Sequence, residues 1–201
     1  MSHDHSHDQP YAFTLALPDW AIEENKRLPA SLPTPEARMA EVVRFSRLNI
    51  ENGTGGPFAA GVFERETGKP LVIGVNRVMA YQISSAHAEV MTLSIAQKLL
   101  GTYDLGGPGL PEYEFVVNWR PCAMCFGATL WSGIRSLVIA GSGPELEQIT
   151  GFDEGPITPA WEAELAKRGI ALQNNVLKDE AMAVYRAFAA SQAFVYNARQ
   201  G

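Results

Sequence analysis

Three side chains stand out by type and spacing. The 201-residue chain has only two cysteines, Cys122 and Cys125, and three of its four histidines fall within the first seven residues. His87 is therefore the one imidazole in the body of the chain. Two thiols and one imidazole make three ligands for a catalytic zinc ion whose fourth position stays open to water. Cys122 and Cys125 are spaced i and i+3, so on a helix both sulfurs share one face. A first helical turn suits them, because its free N–H groups and positive dipole end favour thiolates, the ligating form. Pro121 fits just before such a turn, where no backbone donor is needed.

Glu89 lies two residues after His87 and so points elsewhere around a helix. It can face the water in the fourth position, whose pKa zinc lowers towards 7, and carry a proton from it to a leaving nitrogen. Other uses of these residues fit less well. A disulfide between Cys122 and Cys125 would close a tiny loop, and nothing suggests secretion. A redox pair would need a thioredoxin-like context, and a structural zinc knot a fourth Cys or His. A core histidine beside a surface glutamate is the ordinary meaning of an isolated His-x-Glu. Here that pair accompanies the only two cysteines. The joint spacing His-x-Glu…Pro-Cys-x-x-Cys is a signature of zinc-dependent deaminases. The separation of 35 residues between His87 and Cys122 leaves room for one helix, one loop and one strand.

The surrounding pattern supplies those elements. Thr34-Pro35-Glu36 reads as an N-cap, a first-turn proline and an acidic first turn, and Asn52-Gly53 ends the helix that follows. Phe58 to Phe63 and Leu71 to Val75 are extended runs joined by Thr67-Gly68-Lys69-Pro70, a β-hairpin. Helices are expected over Ala86 to Leu100, Cys122 to Trp131, Pro159 to Arg168 and Lys178 to Gln192. Strands are expected over Tyr113 to Val117, Leu137 to Ala140 and Ile170 to Leu172. The order αββαβαβαβα predicts one α/β layered domain with helices covering a mixed sheet.

Composition narrows the partners. Hydrophobic residues are 46% and charged residues 19% of the chain, which excludes wholesale disorder. No apolar stretch approaches the roughly 20 residues of a membrane helix, and the polar N-terminus is unlike a secretory signal, so no membrane partner and a cytoplasmic location are expected. A net charge of −6 disfavours nucleic acid and points to a small-molecule substrate. Residues 1–10, with His3, His5 and His7 among acids, read as a disordered leader or tag, with loose metal binding as the other use. Residues 11–34 read as an N-terminal arm with a short helix near Asp19 to Arg27, and 35–201 as the catalytic domain.

Taken together, Ser85-Ala86-His87-Ala88-Glu89 and Pro121-Cys122-Ala123-Met124-Cys125-Phe126-Gly127-Ala128 resemble the cytidine deaminase-like superfamily. Within it the chain is most similar to the bacterial guanine deaminase branch. Gly56 to Ala60, Asn76, Trp131 to Gly133 and Gly151 to Glu154 carry that resemblance, which runs from about Pro35 to the C-terminus. It implies a three-layer α/β/α fold with a mixed five-stranded sheet and helices on both faces. It also implies a homodimer, with a C-terminal segment swapped to the neighbour's site; the apolar Ala193 to Asn197 is compatible with that.

The resemblance further implies Zn2+ on His87, Cys122 and Cys125 and proton transfer by Glu89. Asn76 and the N–H of Ala88 would bind the ring, Phe58 and Phe152 would stack on it, and Glu154 would serve its polar edge catalytically. Tyr196 is a candidate lid. For Phe58 a core role, and for Phe152 and Glu154 a solvated turn, are the plain alternatives. One departure stands out: Asn118-Trp119-Arg120 replaces the usual acid before Pro-Cys, reversing a charge beside the site. The expected function is zinc-dependent hydrolytic deamination of a small amino-substituted N-heterocycle, guanine to xanthine plus ammonia first. Cytosine or a nucleoside, a pterin, an amino-triazine, or a non-catalytic deaminase-fold binding protein are the alternatives. The lack of a basic tail disfavours a tRNA substrate.

Overall fold

The computed structural model describes residues 12–198; the expected leader at 1–10 lies outside them. The elements, in chain order, are α1 (Asp19–Lys26), α2 (Pro35–Glu51), β1 (Ala59–Glu64), β2 (Pro70–Val75), α3 (Val78–Tyr81) and α4 (Ala88–Leu100). There follow β3 (Tyr113–Val117), α5 (Ala123–Trp131), β4 (Ser136–Ile139), α6 (Glu145–Thr150), α7 (Trp161–Lys167), β5 (Ala171–Gln173) and α8 (Lys178–Ala190). The five strands form one mixed sheet in the order β2-β1-β3-β4-β5. β1 is antiparallel to both β2 and β3, whereas β3, β4 and β5 run parallel.

Strand pleating explains the three layers. Ala59, Phe63, Val116 and Val138 pack with α1, α2, α6 and α8 on one face. Their neighbours Ala60, Val62, Phe115, Val117, Leu137 and Ile139 pack with α4, α5 and α7 on the other. Successive side chains point to opposite faces, so strands of a sheet covered on both are apolar at most positions. On the second face, Gly74 of β2 leaves space that Thr92 of α4 occupies, and a Cβ there would collide with the Thr92 hydroxyl. Thr92 Oγ1 in turn donates to Ala88 O at 2.6 Å.

The arm is tied to this body. Asn25 of α1 brackets the backbone of Ile73, donating to its carbonyl and accepting from its N–H, both at 2.8 Å. Thr34 caps α2, its hydroxyl accepting from Ala37 N at 3.1 Å. Where α2 meets the sheet, Arg38 and Glu114 form a buried ion pair at 2.6 Å, and Ser136 donates to the other carboxylate oxygen at 2.8 Å.

Three differences from the sequence pattern matter. α3 and α6 are short helices with no clear period, and both flank the site. α4 begins at Ala88 rather than Ala86, because His87 is extended (φ −65°, ψ 155°) and occupies the N-cap position. Phe58 lies outside β1. There the Asn118 side chain replaces a neighbouring strand: its oxygen accepts from Ala59 N at 3.1 Å and its amide donates to Pro57 O at 2.8 Å.

Candidate active site

His87 and Cys122 are the N-cap residues of α4 and α5, which lie side by side on one face of the sheet. Cys125 sits one turn into α5 and is fully buried. His87 Nδ1 is 3.6 Å from each sulfur. A tetrahedral zinc ion, with bonds of about 2.3 Å to sulfur and 2.0–2.1 Å to nitrogen, sets those atoms roughly 3.5–3.6 Å apart. The three ligand atoms all lie within 4.8 Å of one another, so the donor set fits the ion in number, type and spacing. Both thiols are free of any disulfide.

The electrostatics favour ligation. Hydrogen bonding from Cys125, and then from His87, brings the Cys122 thiol down to about 4, a ready thiolate. Cys125 is pushed well up by its bond to Cys122 and by burial. Burial alone would lower the His87 pKa, but Cys122, Glu89 and Glu154 outweigh it and raise it.

Beside the triad opens a pocket of about 360 Å³ lined by Phe58, His87, Glu89, Cys122, Phe152 and Glu154 among others. Those six were all expected there. Glu89 is buried, and desolvation, reinforced by Cys122, raises its carboxyl to about 7. Burial likewise takes Glu154 to about 8, with Cys122 and Glu89 adding to it. A hydrogen bond from Ala123 N to Glu154 O, 3.1 Å, fastens the Glu154 loop to the first turn of α5. Phe58 and Phe152 touch edge to face, with centroids 5.1 Å apart, so they form one aromatic wall and leave no slot between them.

Asn76 and Ala88 do not line the open pocket but are buried next to residues that do. Asn76 Oδ1 accepts from Val78 N at 3.2 Å, whereas Nδ2 is buried without a partner among the described residues. The C-terminal segment lies over its own chain's site. Asn197 donates to Gly151 O at 2.8 Å and accepts from Asp153 N at 2.9 Å, and Tyr196 packs on Phe152 with centroids 4.8 Å apart. Gly56 makes room for the Tyr196 ring, which a Cβ would strike. Val78, Ser84, Val117, Met124 and Asp153 also line the pocket without a site role having been expected of them. Met124 and Asp153 stand inside the quoted motifs, and the other three only near motif residues in sequence.

A covered mixed sheet that sets one His and two Cys at adjacent helix starts, with a buried carboxylate beside them, defines a zinc-dependent aminohydrolase. Residues 34–141 match the family model of the cytidine and deoxycytidylate deaminase zinc-binding region, and the chain belongs to that family. A solved guanine deaminase from Nitrosomonas europaea is 43% identical, covering 90% of this chain and 98% of that one, with a TM-score of 0.85. A mutant of NE0047 in complex with 8-azaguanine is 44% identical over 90% of this chain and 98% of that one, TM-score 0.84. A guanine deaminase of Bacillus subtilis (strain 168) is 29% identical over 119 residues, 59% of this chain and 71% of the relative. No helix among the described residues is long and apolar enough to cross a membrane.

Proposed function

We propose that this chain converts guanine and water to xanthine and ammonia. The observation that carries this reading is the placing of two proton-bearing carboxyls, Glu89 and Glu154, in one pocket with the metal triad. The relatives named above support guanine as the ring. His87, Cys122 and Cys125 would hold zinc, which supplies a Lewis acid that makes water a nucleophile near neutral pH.

The protein's own residues do the rest. Glu89, whose pKa of about 7 matches the working pH, takes one proton from the attacking water and gives it to the ring nitrogen, then takes the remaining hydroxyl proton and gives it to the leaving amine. One C–O bond forms and the exocyclic C–N bond breaks, with ammonia as the leaving group. Glu154, raised to about 8, is mostly protonated at pH 7 and holds a proton at the purine edge. Asn76 Nδ2 is an unspent donor for a ring acceptor, and the Ala88 N–H, at the start of α4, serves a substrate carbonyl. Phe58 and Phe152 supply the apolar wall on which the ring lies.

The same reading gives a homodimer joined through α5. Its support is the stripe Met124, Gly127, Ala128 and Trp131 at helical spacing, with Trp131 84% exposed. Size measurement in solution, with Trp131→Glu as the disrupting change, checks it. A place in purine metabolism in the cytoplasm goes with this reading. The principal test is ammonia release across amino-purines, pyrimidines, pterins and triazines, with guanine expected to give the highest kcat/KM. A higher value for another ring replaces guanine.

A further inference from the structure

Arg120 is a cation in the pocket wall for which the deamination scheme above has no task. It stands two residues before Cys122 and lines the same pocket as Glu89, Asp153 and Glu154. Its backbone N–H donates to Gly141 O at 2.8 Å, and a terminal nitrogen donates to Ser142 O at 3.0 Å. These two bonds fix the side chain at the C-terminal end of β4. Its Nε is buried and has no partner among the described residues. The preceding residue, Trp119, donates from its Nε1 to Gly143 O at 3.2 Å and packs edge-on against Tyr185.

A guanidinium only donates and stays charged at every working pH, so the missing partner must be an acceptor. The carboxyls that line the same pocket suit the N–H edge of a heterocycle, and Arg120 suits an acceptor edge. We infer that Arg120 is a specificity-determining residue that donates to the ring oxo group of the substrate, whose second lone pair is left for the Ala88 N–H, and so selects oxo-purines over amino-purines. This rests on the pocket being the substrate site of a deaminase. An amino group in place of the oxo group would point its own N–H at a fixed cation and leave the guanidinium unpaired. A site built around one hydrogen-bonding partner rejects the analogue that lacks it.

The experiment compares guanine with 2,6-diaminopurine, which differs in carrying an amino group where guanine has its oxo group. Wild type, Arg120→Met and Arg120→Lys are assayed at equal zinc content. Arg120→Met is expected to lose about tenfold to a hundredfold in kcat/KM on guanine, chiefly through KM, and to change little on 2,6-diaminopurine. Arg120→Lys should keep part of the preference. Calorimetric binding of 8-azaguanine, an oxo-purine, measured in a Glu89→Ala background so that its amine is not hydrolysed, should weaken by a similar factor when Arg120→Met is added. Equal losses on both purines, or unchanged binding and KM, would overturn the assignment. Should the wild type prefer a different ring, the guanine reading fails by itself. Arg120 is then tested on the oxo and amino forms of that ring.

Discussion

His87 and Cys122 occupy equivalent positions in two different helices: each is the extended residue before the first turn, and their ligand atoms meet 3.6 Å apart. The equivalence has a physical basis. Parallel helix starts beside the sheet direct their unpaired N–H groups and positive dipole ends to one place, where thiolates and a metal-bound site are favoured.

Metal content follows directly from that arrangement. The purified protein should hold about one zinc per chain, and Cys122→Ala or Cys125→Ala should lose it together with thermal stability, since binding energy at such a site is partly folding energy. Elemental analysis and thermal unfolding report both. Active protein without zinc would refute the scheme.

Glu89 can be separated from the metal. It is not one of the three clustered ligands, so Glu89→Ala should retain zinc and fold while turnover falls by about 10²–10⁴-fold. Turnover within a few-fold of wild type would assign proton transfer to another group.

Glu154 has a signature in both rate and stability. Glu154→Gln should cut kcat/KM on guanine by about tenfold to a hundredfold with zinc unchanged, as expected for losing a charged or proton-donating bond in a closed site. Its folded pKa of about 8 lies above the ordinary carboxyl value of 4.5, so between those values the folded state binds the extra proton. Stability from this group is therefore fully present below about 4.5 and lost as pH rises through about 8. Melting temperatures across that range should fall more steeply for wild type than for Glu154→Gln.

The pair Arg38–Glu114 is a test of the frame rather than the chemistry. Both side chains are almost fully buried, at 3% and 5% exposure. Arg38→Met alone should destabilise by about 3–5 kcal/mol by stranding the Glu114 charge, and adding Glu114→Leu should restore only part of the loss, because the carbonyls of Leu32, Pro33 and Arg65 also lose their Arg38 donor. Denaturant titration of the single and double variants measures it.

Much of this protein was legible in its residue order. The ligand types, their i and i+3 spacing, the hydrophobic runs of β1 to β5 and the N-cap at Thr34 are local properties, written in neighbouring residues. So a layered α/β order and the grouping of His87, Cys122 and Cys125 could be read directly. What tertiary structure decided depends on groups far apart in the chain. Burial raises Glu89 and Glu154 towards or above neutrality, and no local pattern encodes how much water a fold excludes. Phe58 leaves the strand because Asn118, distant in sequence, takes the backbone bonds of its neighbours. Tyr196 packs on Phe152 while Gly56, about 140 positions earlier in the chain, leaves room for its ring. Arg120 was visible as an unusual residue, but its unpaired buried nitrogen emerged only once β4 had fixed the rest of its side chain. Local periodicity determines elements and ligand spacing; desolvation and the pairing of distant polar groups are set only when the layers close.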